Sequence, residues 1–213
     1  MNYLAIVNKV LIRLREPEVT SVQDNPYSKL IGEFVNVVKR EVEDSYNWSA
    51  LRSTITAITT TGVSHYKLNG INTRSRIIDV WNDSVNTELY YQTTRWFDRA
   101  FQGDTGSQNI PYNYNLNGVD TDGYQFVDLY PIPDATYTIR FNFVAPQDDL
   151  VDDNDELLIP YQIVIEGALA RAISERGDDG GYTEQEARYA RIASDYIAIE
   201  AGGRPDESIW YSV

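Results

Sequence analysis

Asp148, Asp149, Asp152, Asp153, Asp155 and Glu156 put six carboxylates into nine residues, the densest acidic cluster in the chain. Oxygen ligands at that density suit a hard cation such as Ca²⁺. The EF-hand spacing is missing, because Val151 and Leu157 stand where oxygens should be and no glycine makes the sharp turn. The expected role is a solvated acidic surface or linker leading into a helix, with no metal. His65 is the only histidine, so any Ser-His-Asp arrangement would rest on it alone. It lies in the turn-like stretch Ser64-His65-Tyr66 and is expected to be a surface or strand histidine. The absence of cysteine excludes disulfides, thiol nucleophiles and Cys-based zinc sites, and suits folding in a reducing cytoplasm. No P-loop or GxGxxG fingerprint occurs; Gly62/Gly70 and Gly177/Gly180/Gly181 bracket turns. Glycoside hydrolysis needs two placed carboxylates, and no spacing singles out a pair. The expectation is a chain with no catalytic residue, no cofactor and no metal, and therefore not an enzyme.

Composition narrows the remaining classes. The chain has 213 residues, which suits one large domain or a small domain interrupted by another. At 42% hydrophobic it can build a core. Its net charge is −14, which excludes gripping a phosphate backbone, since that task needs Lys and Arg. Negative charge would instead help a protein past which DNA must slide. The opening MNYLAIVNKVLIRLREPEV reads as an amphipathic helix rather than a signal peptide, because Lys9, Arg13 and Arg15 interrupt it. No apolar run approaches a membrane span, so no membrane partner is expected.

Periodicity places the elements. Leu4, Val7, Leu11 and Leu14 predict a helix over 2–15, stopped by Pro17. Asn25 and Pro26 open a second helix over 26–46. Its stripe is Tyr27, Leu30, Ile31, Phe34, Val37, Val38 and Val42, with Glu33, Lys39, Arg40, Glu41 and Glu43 looking outward and Trp48 anchoring the exit. From 50 to 146 short β-like segments follow: 54–61, 66–68, 76–81, 88–91, 95–101, and most clearly 137–144, where Tyr137, Ile139, Phe141 and Phe143 alternate with polar residues. Phe126–Tyr130 is expected to form a hairpin with that last strand through Pro131-Ile132-Pro133-Asp134. The stretch 103–123, rich in Asn, Gly and Asp, reads as a long exposed loop. A helix over 160–176 buries Tyr161, Ile165, Leu169, Ala172 and Ile173, and Gly177 ends it. A last helix starts at Thr183 with a Thr183/Glu186 capping box, faces Ala190, Ala193, Tyr196 and Ile197 inward, and stops at Gly202-Gly203.

The fold class is therefore α+β: N- and C-terminal helix pairs form a helical bundle, with an antiparallel β domain inserted. The expected domains are 1–49 with 156–201 for the bundle, 50–155 for the β insertion, and 202–213 for a tail. Ile209, Trp210 and Tyr211 make that tail's apolar tip, which either folds back on the core or docks on a partner. Trp81, Trp96, Tyr90 and Tyr91 could form a sugar-stacking platform, although strand aromatics more often fill cores.

Three passages carry a resemblance. They are Val7-Asn8-Lys9-Val10-Leu11 followed by Arg15-Glu16-Pro17-Glu18-Val19; Tyr46-Asn47-Trp48; and Leu129-Tyr130-Pro131-Ile132-Pro133, the strand to Val144, then Leu158-Ile159-Pro160 opening a helix. Together they frame nearly the whole chain, which resembles the head-to-tail adaptors of tailed bacteriophages (tail tubular protein A or gatekeeper). The resemblance implies a structural protein of the virion neck, synthesised in the host cytoplasm. It implies a homo-oligomeric ring, commonly a dodecamer, between the portal protein and the tail nozzle or another tail protein. DNA would pass through its channel without specific binding, and the tip Ile209-Trp210-Tyr211 would dock on the portal. The alternatives are another tail-completion or nozzle-side virion protein, or a carbohydrate-binding β domain.

Overall fold

The computed structural model describes residues 1–103, 107–177 and 179–202. In chain order the elements are helices α1 (Tyr3–Arg13) and α2 (Pro26–Ser45); strands β1 (Arg52–Ile58), β2 (His65–Asn72), β3 (Arg76–Asn82), β4 (Thr87–Glu88) and β5 (Tyr90–Tyr91); helix α3 (Thr94–Gly103); strands β6 (Gln108–Asn109), β7 (Asn113–Val119), β8 (Tyr124–Tyr130), β9 (Ile132–Pro133) and β10 (Thr138–Val144); and helices α4 (Tyr161–Glu175) and α5 (Asp179–Gly202). Contacts divide the chain into two compact units, Met1–Leu51 with Pro146–Val213, and Arg52–Ala145.

In the helical unit, caps set the helix starts. Asn2 accepts the Ala5 N–H, and Asn25 and Ser28 form a reciprocal box with Pro26 in the first turn. The buried face of α1 is Tyr3, Ile6, Val7, Val10 and Leu11. Helix α4 touches α1, α2 and α5, which explains why it is buried almost all round from Ile163 to Ala170. Close approach requires Gly167: a Cβ there would stand 2.6 Å from Val38 Cγ1 and 2.9 Å from Tyr189 Cε2. Gly177, at φ +71°, lies just beyond the end of α4. Two side-chain amides act as strand mimics. Asn8 bonds both backbone groups of Val19, and Asn36 both of Leu150, at 2.9–3.0 Å.

Three expectations about these helices are corrected. Lys39 and Glu43 do not look outward; both side chains are fully buried and paired at 3.2 Å. Lys39 Nζ donates to the Gln147 carbonyl at 2.6 Å, and the Gln147 N–H donates to Glu43 at 3.2 Å. The returning chain thus supplies the partners that allow two charges inside. Tyr161 is exposed, because the first turn of α4 precedes the buried stretch, and Lys9 sits over its ring. Helix α5 starts at Asp179, before Thr183, and it buries Gln185 and Ile192 while Ala190 is exposed. Ala193, Tyr196 and Ile197 are half-buried.

The β unit is two four-stranded sheets, ordered β1-β10-β3-β4 and β2-β8-β7-β5, plus the small pair β6-β9. Their inner faces share one core in which Ile139, Phe141 and Phe143 of β10 meet Val127 and Leu129 of β8 and Leu68 and Ile71 of β2. The alternation of β10 is realised fully: Ile139, Phe141 and Phe143 point in, and Thr138, Arg140 and Asn142 are half-exposed. Strands β8 and β10 do not form the expected hairpin. β8 pairs with β2 and β7, β10 with β1 and β3, and the cis Tyr130–Pro131 peptide leads into β9 between them. The insertion is mixed rather than antiparallel, since β5 runs parallel to β7 and β6 to β9. Residues 95–101 are helical, because Trp96, Phe97, Ala100 and Phe101 form one helical face and Phe97 is buried. The expected loop 103–123 contains β7, whose Asn113, Tyr114 and Asn115 are buried. Of the buried Asn115 side chain, the amide N–H donates to Thr94 Oγ1 at 3.1 Å, while Oδ1 has no partner.

The buried pair gives a direct test. Lys39→Met should leave Glu43 as a buried charge without its lysine and cost about 3–5 kcal/mol in urea denaturation. Lys39→Met with Glu43→Leu should recover most of that loss.

Candidate functional site

The helical unit converges on one carboxylate. Glu166 is 4% exposed on α4; it pairs with Arg13 of α1 at 2.8 Å and with Arg188 of α5 at 3.3 Å, and accepts from Gln185 Nε2 at 2.6 Å. Burial pushes its carboxyl up, but the Arg13 and Gln185 hydrogen bonds and both guanidinium charges hold it below the usual range. Sequence reading missed it, although a lone acid in Ile163-Val164-Ile165-Glu166-Gly167-Ala168-Leu169 signals a charge that must be satisfied inside.

The acidic run lies against the start of α1. The carbonyls of Asp153 and Asp155 accept from Leu4 and Tyr3, and Asp153 Oδ1 accepts from the Val22 N–H at 2.9 Å. Asp149 pairs with Arg40 at 3.0 Å. The Val151 and Asp152 N–H groups hold the Asp155 carboxyl below its ordinary value. Tyr3 lies beside this run; burial pushes its hydroxyl up to about 12, with Glu33, Asp149 and Asp153 adding to the effect. Asp148, Asp152 and Glu156 face outward. The carboxylates are thus spent on turn bonds, on Arg40, or on solvent, and among the described residues no group of His, Asp and Glu is arranged to hold a metal ion.

Other sequence candidates are dispersed. His65 is half-exposed on β2, 2.6 Å from Asp128 and stacked on Phe126 at 4.7 Å. Trp81 is on β3, in the other sheet from Tyr90 and Tyr91 of β5, and Trp96 is on α3. Trp96, Phe97, Phe101 and Tyr112 instead surround Tyr130 edge-on, at 5.3–6.4 Å between centroids. Ile209, Trp210 and Tyr211 lie outside the described residues.

Charge is divided unevenly. The β unit has seven Lys and Arg against nine Asp and Glu, a net −2; the helical unit has eleven against 23, a net −12. The family model described as SU10 adaptor protein matches residues 1–209.

The chain belongs to the SU10 adaptor protein family.

It is thus a bacteriophage head-to-tail adaptor, a structural protein of the virion. The match spans both units of this SU10-family adaptor, so helices and β insertion belong to one inherited design. No curated protein matches the chain. No helix of the described residues is long and apolar enough to cross a membrane.

The Glu166 cluster carries a pH dependence of defined sign. Its folded pKa is depressed, so its contribution is complete above the unfolded carboxylate value of about 4.3 and is lost as pH falls through the folded value. Glu166→Gln should cost roughly 1.5–3 kcal/mol at pH 7. The deficit should shrink as urea titrations move from pH 5 towards pH 3. A deficit independent of pH would remove the ionised carboxylate from the account.

Proposed function

We propose that this adaptor forms a homo-oligomeric ring, a dodecamer, between the portal protein and the tail, with a central channel through which DNA passes unbound. The observation that carries the reading is the family match over residues 1–209. The charge partition supports the channel: a −12 helical unit repels phosphates, so DNA slides and does not adhere. The four helices form the ring body as a bundle. The exposed carboxylates Asp148, Asp152 and Glu156 contribute to its acidic surface. The tip Ile209-Trp210-Tyr211 docks on the portal, where two aromatic rings would supply anchoring area. The β unit meets the tail nozzle or another tail protein.

Like charge on every copy opposes assembly. Purified chain should therefore sediment as a monomer at moderate ionic strength and form rings only when portal is added; stable rings without portal would contradict this. Deleting 208–213 should abolish portal binding in a pull-down while leaving the thermal unfolding midpoint within about 2 °C of the full chain.

A further inference from the structure

The β unit carries a surface that neither its core nor its sheets use. On edge strand β5, Tyr90 and Tyr91 are 61% and 56% exposed, and Tyr112 beside them is 48% exposed. Tyr90 N–H bonds the Tyr112 carbonyl at 3.0 Å, and Tyr112 N–H bonds the Tyr130 carbonyl at 3.1 Å. The rings are therefore mounted on a paired backbone rather than on a free loop. Tyr130 in turn sits 5.3 Å from Trp96 of α3. On the outer side of that helix stand Arg95 and Arg99, one turn apart and exposed, with Asp98 between them. Among the described residues neither arginine has an ion-pair partner. Eight other cations do have one among the described residues: Arg13, Lys39, Arg40, Lys67, Arg140, Arg171, Arg176 and Arg188 are all in salt bridges.

Exposed tyrosines at 90–91 and unpaired arginines four and eight residues further on, at 95 and 99, have the composition of an interface centre, where Tyr, Trp and Arg are enriched and Lys and Glu are depleted. The occupant follows from charge. Two unpaired guanidinium groups call for carboxylates, and the helical unit of the same protein carries −12, with Asp148, Asp152 and Glu156 exposed in one short segment. In a ring, every β unit has the helical unit of another copy available at the concentration of the assembly.

We propose that the Tyr90–Tyr91–Tyr112 surface and Arg95/Arg99 of one copy dock on the acidic 148–156 segment of a second copy. The proposal rests on the ring reading above. Such a contact is heterologous, joining two different patches, and that is the interface type that closes rings. The tyrosines supply buried area at little entropic cost, and the charges set partner and register. The contact also reduces the mutual repulsion of the acidic bodies, since each copy brings two cations to its neighbour's carboxylates.

The test uses full-length chain assembled with portal. Tyr91→p-benzoylphenylalanine, irradiated in the assembly, should give a covalent dimer of the chain, with the cross-linked peptide mapping to 146–160. Arg95→Glu with Arg99→Glu should lower ring yield about tenfold at low salt, and Asp148→Lys with Asp152→Lys should restore it in the same chain. Rings that cross-link Tyr91 to the portal, or to another part of the adaptor, overturn the proposal and leave the ring reading intact. So do rings formed normally by the arginine double variant. Should the unmodified chain form no ring with portal, the ring reading itself fails and this proposal falls with it.

Discussion

The helical unit depends on a buried carboxylate in a helical stretch, Ile163–Ala170, that would otherwise be wholly apolar. Glu166 occupies the inner side of α4 and draws Arg13 from α1 and Gln185 and Arg188 from α5. An ionised group away from water is tolerable only when its lone pairs are met, so the three helices must hold their places around it. Residues at opposite ends of the sequence are thereby tied to one point. The Lys39–Glu43 pair imposes the same kind of demand on α2. It is satisfied only when the chain, returning from the β insertion, lays the backbone of Gln147 against it. Both clamps need segments separated by more than a hundred residues, which is what an inserted unit requires of its host.

Such a design trades some stability for definition. Apolar residues at 39, 43 and 166 would be easier to bury. Polar clusters accept few geometries, whereas leucines accept many, so the clusters hold the helices in one arrangement. The β unit is built differently. Its core is a shared apolar layer between two sheets, and its ion pairs, such as Lys67 with Asp120 and Arg140 with Asp83, lie towards the solvent. Surface pairs of that kind contribute little to stability. Acid or salt should therefore act mainly on the helical unit.

What the sequence made legible follows from this contrast. Caps at Asn25 and Pro26, the inward Ile139, Phe141 and Phe143 of β10 and the stop at Gly177 are local signals that appear where the pattern placed them, whereas the buried face of α2 keeps Ile31, Val38 and Val42 of the expected stripe and adds Val35, Asn36, Lys39 and Glu43. Lys39 and Glu43 misled because their environment comes from Gln147, far away in sequence. The stretch 113–119 misled because strand β7 hides asparagines, residues that normally mark turns, and only the amide N–H of Asn115 is met, by Thr94 of α3. Residues 95–101 misled because aromatic density resembled a strand, while the spacing of Trp96, Phe97, Ala100 and Phe101 was helical. Strand partners were the least legible part: β8 and β10 are separated by a proline turn, yet belong to different sheets. The acidic run was conspicuous in sequence, but its hydrogen bonds to α1 and to the Val22 loop depended on tertiary structure.

The uneven charge between the units gives the family membership physical content. In the channel proposed above, the adaptor is repelled by DNA yet held by proteins. A chain with −14 spread evenly would repel its neighbours everywhere. Here the β unit is nearly neutral and keeps its exposed tyrosines, while the helical unit carries almost all the excess. Repulsion of a polyanion needs a dense field on one body; adhesion to proteins needs aromatic area and a few well-placed cations on another. Insertion of a β unit into a helical one supplies both in a single chain, and the clamps at Glu166 and Gln147 keep the acidic body folded despite its own charge.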